Sequence, residues 1–496
     1  MQDRIVSTTE TDTIAASATP QGVGGIGVIR VSGPDAFSLV LPLFRRSRHN
    51  GQLPASHMLT YGQIVEPQTH EVLDDVLVAF MHAPHTYTRE DVVEIQGHGG
   101  PLVLRRILRA VLEQGARMAR PGEFTQRAFL NGRIDLAQAE AVMDLIGAQT
   151  EASQRLAMQQ LHGRLSEQVQ EARHAILNVI ARIEVSIDFP EEDVPTPEAS
   201  ELRPLIEVAR RQLAALLTGS EQGRLYRQGL RTAIIGRPNV GKSSLLNALL
   251  RVERAIVTPV AGTTRDTVEE VANLRGVPLH LIDTAGITPT DDPVERIGVQ
   301  RSRDAAASAD VVLIVFDGSE PLTEQDRRVC EELRFIGFVG ERSSEHSISD
   351  VYNDSGTNTQ RLYRRAVVVV VNKIDRKKRL DETEPRSLWP HAPLIETSTL
   401  TGAGIAQLEE TLADLVLSGS IVSGESVLVT SVRHQEALRR AANALRAAHD
   451  TLDQGLPLDF VSIDLRVAYD ALGEVTGETA SDALLDEIFS EFCIGK

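Results

Sequence analysis

Cysteine and long apolar runs are scarce in this chain. Its 496 residues include only two cysteines, Cys330 and Cys493, which is too few for a disulfide framework and typical of a reducing compartment. No run of about 18 apolar residues occurs, so the sequence predicts no membrane span. The N-terminal residues lack the charged start and apolar core of a signal peptide. We therefore expect a cytoplasmic protein.

Positive charge and aromatic side chains are also in short supply. The net charge is −18 and aromatic residues make up 4% of the chain, which excludes a bulk nucleic-acid binder. Any contact with RNA must use a local basic patch. The candidate RNA or partner surface is an arginine cluster: Arg105, Arg106, Arg109, Arg117, Arg120, Arg127 and Arg133. Such a run is more often a solvated helix face.

What the sequence does contain is a phosphate-binding loop. Residues 236–243 fit the pattern G-x-x-x-x-G-K-[ST], between an apolar segment that predicts a strand and a periodic segment that predicts a helix. Backbone N–H groups of the loop and of the helix N-terminus would surround the phosphates of a nucleotide. Lys242 would reach the outer phosphates, and the Ser243 hydroxyl would bind Mg²⁺.

A second motif predicts that the nucleotide is GTP. Asn372-Lys373-Ile-Asp375 follows the most apolar strand, and a carboxylate there can accept from the ring N–H and the exocyclic amine of guanine. Adenine presents the reverse pattern and would leave the carboxylate unpaired. Ser398 begins a weaker match to the segment that supports the base in such enzymes.

Two further segments would surround the metal and the last phosphate. Asp283-Thr284-Ala285-Gly286 ends a predicted strand, which would place a carboxylate near Mg²⁺ and a glycine N–H near the last phosphate. Residues 262–266 would supply a hydroxyl to the metal from a mobile loop. These motifs resemble those of the translation-factor-like GTPases.

The catalytic water lacks an obvious partner in this set. Ras-like enzymes carry Gln after the Asp-Thr-Ala-Gly segment, where this chain has Ile287, and no arginine finger is evident. Glu295 is the candidate for positioning the water, although its surroundings also fit a helix cap. Asn239, with the loop at 258–263, could bind a monovalent cation in place of the arginine. Asn239 could equally be a turn residue after Pro238.

The apolar pattern predicts three parts in a multidomain α/β and α architecture. Residues 1–125 alternate short strands with one helix, typical of an α/β domain. Helical periodicity fills 126–229 and returns over 420–496, so we predict one discontinuous helical domain. The GTPase domain, a Ras-like doubly wound sheet over 230–419, would be inserted into it.

Two segments fit no functional site. Residues 22–27 match the dinucleotide pattern G-x-G-x-x-G, but we expect no strand before them and a strand rather than a helix after them, so we reject a Rossmann site. Residues 341–360 are rich in polar residues and predict a solvated insertion without an assigned role.

Beyond the GTPase motifs, the flanking sequence is distinctive. The stretches 19–30, 87–100 and 120–132, with residues 294–298 and the terminal 493–496, make the chain resemble the tRNA-modification GTPase MnmE (TrmE) family over essentially its full length. The resemblance implies an N-terminal domain that dimerises and binds a 5-formyl-tetrahydrofolate-type one-carbon donor. It also implies potassium-activated GTP hydrolysis and an FAD-containing partner, MnmG. Together the two proteins would modify carbon 5 of the wobble uridine in certain tRNAs.

The same resemblance assigns roles to individual residues. For GTP they are Asn239, Val240, Gly241, Lys242, Ser243, Ser244, Thr258, Thr263, Thr264, Asp283, Thr284, Ala285, Gly286, Asn372, Lys373, Asp375 and Ser398. For Mg²⁺ they are Ser243 and Thr264, and for K⁺ they are Asn239, Thr258, Val260 and Thr263. For the folate they are Arg30, Glu94, Arg133 and Lys496, and for catalysis Glu295 and Cys493. Arg133 stands where the family commonly has Lys, and a lone cysteine such as Cys493 is usually a small apolar residue.

Two other functions stay open at this point. The first is a regulatory RNA-binding GTPase in ribosome assembly, which would share the nucleotide motifs. The second is a folate-dependent transferase with a vestigial nucleotide site, which would act without GTP turnover.

Overall fold

We describe a computed structural model of the chain. It describes residues 12–20, 22–46, 55–188, 197–218, 220–252, 269–283, 306–335, 366–417 and 429–496. The predicted polar insertion at 341–360 lies outside these residues.

A seven-stranded sheet forms the N-terminal part. Its strands are β1 (Ile14–Ser17), β2 (Ile26–Ser32), β3 (Phe44–Arg46), β4 (Leu59–Val65), β5 (Val72–Met81), β6 (Val92–His98) and β7 (Arg117–Met118), in the order β3-β4-β5-β6-β2-β1-β7. Its helices are α1 (Ala36–Val40), α2 (Pro101–Glu113) and α3 (Glu123–Leu130). Ile107, Ala110 and Val111 of α2 are buried with apolar residues of the sheet, as the helical spacing of apolar residues predicts.

Strand β1 corrects one expectation about residues 22–27. We expected no strand before them, but β1 precedes them and pairs antiparallel with β2, Ala15 opposite Val31. This strand has only four residues, and two of them are alanine, so its apolar pattern was too weak to predict a strand. The rejection of a Rossmann site stands, because residues 22–27 join two antiparallel strands, whereas that site needs a glycine-rich turn that leads from a strand directly into a helix.

Five helices follow in the chain: α4 (Leu136–Gly147), α5 (Glu151–Leu161), α6 (Arg164–Asp188), α7 (Ala199–Thr218) and α8 (Ser220–Gln228). Asp135 begins α4 with a capping box, in which its side chain accepts from the Gln138 backbone N–H and Gln138 accepts from the Asp135 N–H. Helix α8 was not predicted, since it holds few apolar residues.

A six-stranded sheet comes next. Its elements are β8 (Leu230–Ile235), α9 (Lys242–Val252), β9 (Glu269–Leu274), β10 (Val277–Asp283), β11 (Val311–Asp317), α10 (Glu324–Phe335), β12 (Ala366–Asn372), α11 (Thr383–Leu388), β13 (Leu394–Glu396) and α12 (Ile405–Leu417). The strand order is β13-β12-β11-β8-β10-β9, parallel except for the β9–β10 hairpin. The predicted strand, loop and helix around residues 236–243 are confirmed.

Three helices complete the chain: α13 (Val432–Asp453), α14 (Leu458–Thr476) and α15 (Asp482–Ser490). One apolar core contains side chains of α6 and α7 together with those of α13 and α14, for example Ile176, Leu213, Leu445 and Leu465. The two helical segments, far apart in sequence, therefore share a core, as a discontinuous helical domain requires. None of the helices described here is long and apolar enough to cross a membrane.

Candidate functional sites

The phosphate loop connects the end of β8 to the start of α9. Two of its glycines are required by their surroundings: a Cβ on Gly236 would lie 2.5 Å from the Val315 carbonyl oxygen, and one on Gly241 (φ +103°) would lie 2.3 Å from Asn372 Nδ2. Lys242 Nζ donates to the carbonyl oxygens of Gly236 (2.9 Å) and Arg237 (3.1 Å). The loop therefore curls around its own lysine at the N-terminus of a helix, an arrangement suited to anionic phosphates.

Asn372 joins this loop to the base-recognition segment. Its side chain is fully buried, and its Nδ2 donates to the Val240 carbonyl oxygen at 3.0 Å. Its Oδ1 accepts from Thr397 Oγ1 (3.3 Å) and from the Thr399 N–H (3.4 Å). Asn372 therefore holds three loops together, and its contact with GTP stays a prediction. Sequence reasoning did not single out Thr397.

Lys373 makes a second connection between the same loops. Its Nζ donates to the Asn239 carbonyl oxygen and to Asp317 Oδ2, both at 2.6 Å. Burial raises the pKa of Asp317, but hydrogen bonds from Lys373 and Ser319 outweigh it and leave that pKa below its usual value. Asp317 was missed from the sequence, although an acidic residue at the end of a fully buried strand is the available signal.

Asp375 and Ser398 form the remaining part of the base site. Ser398 Oγ donates to Asp375 Oδ1 at 2.6 Å and accepts from the Thr401 N–H at 3.2 Å. Ser398 is fully buried, whereas Asp375 is exposed. The serine thus fixes the carboxylate in an orientation that leaves it accessible to a base. Ser398 therefore lies beside Asp375, and its role at the base stays a prediction.

Other nucleotide residues divide into two groups. Asn239 (φ +66°), Ser243 and Ser244 are exposed at the phosphate loop and the first turn of α9. Asp283 ends β10, but its side chain is not described. The remaining candidates lie outside the described residues: Thr258, Val260, Thr263, Thr264, Thr284, Ala285, Gly286 and Glu295. The predictions for them stay predictions.

A second candidate site lies on the N-terminal sheet. Arg30 and Glu94 are opposite each other on β2 and β6, and Arg30 Nε and Nη2 each lie 2.9 Å from Glu94 Oε1. The Tyr87 ring has the Arg30 guanidinium 5.5 Å and the Arg133 guanidinium 5.0 Å from its centroid. Arg133 Nη1 also donates to the Thr86 carbonyl oxygen at 2.8 Å. Two arginines distant in sequence thus meet around one aromatic ring, and one of them, Arg30, also pairs with Glu94.

The C-terminal tail completes this second site. The Gly495 carbonyl oxygen accepts from Arg30 Nη1 at 3.4 Å, and the Lys496 carbonyl oxygen accepts from the Phe124 N–H at 3.2 Å. Burial, with the nearby Arg30, lowers the pKa of Lys496. Cys493 is exposed, and its carbonyl oxygen accepts from the Gly122 N–H at 3.4 Å. The structure therefore brings all four predicted folate residues together, with Cys493 at the edge.

The arginine cluster does not form one basic patch. Arg117 Nη2 pairs with Glu123 at 2.6 Å, and Arg127 Nη2 pairs with Asp12 at 2.7 Å. Arg106 and Arg109 pair with Glu71 and Glu113, at 2.8 and 3.6 Å. Hydrogen bonds from Arg117 are the main cause that lowers the pKa of Asp12. Arg120 Nε also lies 3.7 Å from Glu123, so five of the seven arginines pair with acidic residues within the domain, which favours the structural interpretation for them.

Comparisons with known proteins cover the whole chain. A family model described as the MnmE helical domain matches residues 136–493, and one described as the GTP-binding protein TrmE N-terminus matches residues 13–133. A protein of Lactiplantibacillus plantarum named tRNA modification GTPase MnmE is 46% identical over 492 residues, 99% of this chain and 100% of its own length. One of the same name from Staphylococcus haemolyticus is 43% identical over 488 residues, 98% and 99% of the two chains.

Solved structures resemble the chain only in part. A variant of the Era protein of Aquifex aeolicus bound to GDP.AlF4⁻ is 26% identical over 43% of this chain and 65% of its own, with a TM-score of 0.27. The G domain of the T. maritima FeoB iron transporter is 24% identical over 37% and 97%, with a TM-score of 0.26.

The predicted fold class is confirmed by the two family matches together with the sheets and helices described above. One family match spans more than half of the chain, and relatives above 40% identity align over nearly all of it. The chain belongs to the MnmE family of tRNA modification GTPases.

Proposed function

We propose that this chain is a potassium-activated GTPase that acts with an FAD-containing MnmG-type partner on certain tRNAs. The product is an aminomethyl-type group, carboxymethylaminomethyl, at carbon 5 of the wobble uridine. A 5-formyl-tetrahydrofolate-type folate supplies the one-carbon unit. The observation that supports this most is that one chain combines a phosphate loop tied to a base site with a separate site around Arg30, Glu94 and the C-terminal tail.

At the nucleotide site, the described residues suit GTP with Mg²⁺. Asp375, fixed by Ser398, accepts from the guanine edge. Lys242 and the first turn of α9 neutralise the phosphates. The Ser243 hydroxyl, with Thr264, offers the oxygen ligands that Mg²⁺ prefers. Bound Mg²⁺ supplies charge neutralisation on the phosphates.

The remaining catalytic roles concern the water and the monovalent cation. Glu295 positions the attacking water. Asn239, Thr258, Val260 and Thr263 provide oxygen atoms for K⁺, which takes the place of an arginine finger. Asn239 is exposed on the phosphate loop, which is where such a ligand has to stand.

At the second site, charge complementarity supports a folate. Arg133 and Lys496 suit the carboxylates of a folate, and the Tyr87 ring offers a stacking surface beside them. Glu94 can accept from the amino-pyrimidinone edge of a pterin, while Arg30 holds one of its oxygens. Cys493, exposed on the tail, is a further candidate for a role in the chemistry.

For the assembly, we propose a homodimer through the N-terminal domain, joined to the MnmG-type protein in a heterotetramer or larger complex. The proposed domains are 1–125, 126–229 with 420–496, and 230–419. We propose that the protein acts in the cytoplasm, together with its tRNA substrates.

Mass spectrometry of tRNA nucleosides from a deletion strain tests this function. We expect the wobble modification to disappear and to return with the wild-type gene. Complementation with Asp375→Asn should fail, because an amide cannot accept both guanine donors. Intact wobble nucleosides in the deletion strain, combined with altered ribosomal particles, would instead support the ribosome-assembly alternative. Modification that persists without GTP turnover would support a folate transferase.

A further inference from the structure

Asp317 lies at the carboxyl end of β11, between the two loops that form the nucleotide site. Its Oδ1 accepts from the Ser319 N–H (2.9 Å) and from Ser319 Oγ (2.6 Å). Its Oδ2 accepts from Lys373 Nζ at 2.6 Å. The Asp317 side chain is 4% exposed. Both oxygens are therefore engaged, and Ser319 fixes the carboxylate in the orientation that faces the ammonium.

Lys373 connects this carboxylate to the phosphate loop. The same Nζ donates to the Asn239 carbonyl oxygen at 2.6 Å, so one ammonium bridges Asp317 and the loop. Lys373 and Asn239 both have positive φ, +64° and +66°. Left-handed backbone is unfavourable for residues with a Cβ, and it persists where the surroundings hold it. The Asp317–Lys373–Asn239 bridge joins these two strained residues directly.

The backbone around Asp317 is itself well held. The Gly318 N–H donates to the Asn372 carbonyl oxygen at 2.8 Å, and the Arg379 N–H donates to the Gly318 carbonyl oxygen at 2.9 Å. These bonds connect the end of β11 to the end of β12, where the base-recognition segment starts. Ligands of open parallel sheets bind at these carboxyl ends. Asp317 therefore occupies a fixed position next to the proposed nucleotide site without lying in the loops that form it.

We propose that Asp317 is a positioning residue for GTP: its carboxylate holds the Lys373 ammonium across the phosphate loop and so keeps the base site and the phosphate site in register. The inference rests on the proposed GTP site. Asp317 makes no contact with nucleotide in this role and acts through Lys373. Its loss should weaken nucleotide binding in both the GDP and GTP states, while the hydrolytic step keeps its rate.

The test compares Asp317→Asn with Asp310→Asn in the full-length protein. Asp310 precedes β11 at its opposite end, where its carboxylate accepts from the Arg231 N–H at 3.1 Å, so the control removes one charge from the same domain. Titration with a fluorescent GDP analogue gives Kd, and steady-state hydrolysis gives kcat and KM. For Asp317→Asn we expect Kd and KM to rise about tenfold, equivalent to about 1.4 kcal/mol, with kcat within about twofold of wild type. Asp310→Asn should bind as wild type does.

A double-mutant cycle tests the route through Lys373. Adding Asp317→Asn to Lys373→Ala should cost less than about twofold in Kd, because the ammonium that Asp317 positions is already gone. An additive tenfold loss would overturn the proposal. So would wild-type affinity in Asp317→Asn, equal losses in the Asp310→Asn control, or a lower kcat at unchanged KM.

Asp375→Asn separates this inference from the proposed function. An amide at that position should move preference from guanine to xanthine nucleotides, because it can donate to the carbonyl that replaces the exocyclic amine. If the wild-type protein binds no GDP analogue, or if the variant keeps its guanine preference, the base site is wrong and the role of Asp317 falls with it. If Asp375→Asn behaves as expected while Asp317→Asn binds normally, only the positioning role fails.

Discussion

Gly495→Ala should detach the C-terminal tail from the Arg30 site. Gly495 has φ +98°, and a Cβ there would lie 2.2 Å from the Ser17 carbonyl oxygen. A carbon and an oxygen in contact stay about 3.3 Å apart, so the tail would have to move by about 1 Å. The left-handed backbone adds about 1–2 kcal/mol for alanine. The weakest bond in reach, from Arg30 Nη1 to the Gly495 carbonyl oxygen at 3.4 Å, would break first.

The expected result is weaker folate binding with little change elsewhere. Displacement removes the Gly495 carbonyl from Arg30 and moves Lys496, while the Arg30–Glu94 pair remains. The lost hydrogen bond is worth about 1 kcal/mol, so we expect about a fivefold rise in Kd for 5-formyl-tetrahydrofolate. Isothermal titration calorimetry measures this directly. Affinity for GDP should stay at its wild-type value, since the nucleotide site is on a different sheet.

Gly455→Ala is the matched control. Gly455 also has a positive φ, +67°, but no atom lies within 4 Å of the added Cβ. The control therefore carries the same backbone strain without the clash. Wild-type folate affinity in Gly455→Ala and a loss in Gly495→Ala are expected. Unchanged affinity in Gly495→Ala, or equal losses in both variants, would refute the reasoning about the tail.

The other predictions concern hydrolysis and stability. GTP hydrolysis should be faster in KCl than in NaCl at equal ionic strength, and equal rates would end the potassium proposal. Glu295→Ala should slow hydrolysis far more than it weakens GTP binding; an unchanged rate would leave Glu295 only as a helix cap. Burial raises the pKa of Glu140, but His434 and Arg433 hold it at about 2, below its usual 4.5. Its contribution to stability is therefore complete above pH 4.5 and lost as the pH falls toward 2. Glu140→Gln should lower the unfolding free energy at pH 7 by about 3 kcal/mol, as chemical denaturation would measure, and show a smaller loss at pH 3.

Sequence reasoning succeeded where the signal was local. Strand β12 consists mostly of Val, and it is the apolar strand that was predicted directly before the base-recognition segment. The phosphate loop and the base segment could also be predicted, because phosphate binding by the backbone requires Gly236 and Gly241, and guanine recognition requires the Asp375 carboxylate, at fixed places.

Sequence reasoning failed for contacts between residues that are distant in the sequence. Nothing near Asp317 in sequence indicates that Lys373, 56 residues away, is its partner. Only the family resemblance predicted that the C-terminal tail lies at the same site as Arg30, because no sequence periodicity connects residues 465 positions apart. Helix α8 was missed because its side chains are mostly polar and its position depends on what it packs against.

The packing of α8 also bears on where the GTPase domain begins. Tyr226 of α8 is buried in the same apolar core as Leu230, Leu279 and Val311 of the six-stranded sheet, and Leu156 of α5 packs against that core. The bonds are equally direct: Ser153 Oγ donates to the Tyr226 carbonyl oxygen at 2.6 Å.

The hairpin between β9 and β10 adds a second connection. Thr150 Oγ1 donates to the Gly276 carbonyl oxygen at 2.6 Å, and a Cβ on Gly276 would lie 2.9 Å from Ala152 Cβ. This hairpin starts shortly after the 262–266 motif and ends at Asp283, the first residue of the Asp-Thr-Ala-Gly segment. The β9–β10 hairpin lies between two nucleotide motifs in sequence. Its turn therefore contacts the start of helix α5 in the helical segment. The predicted boundary at residue 230 separates the nucleotide motifs from the helical segment, but it cuts through a shared core, because Tyr226 and Leu156 lie before it and pack with the six-stranded sheet.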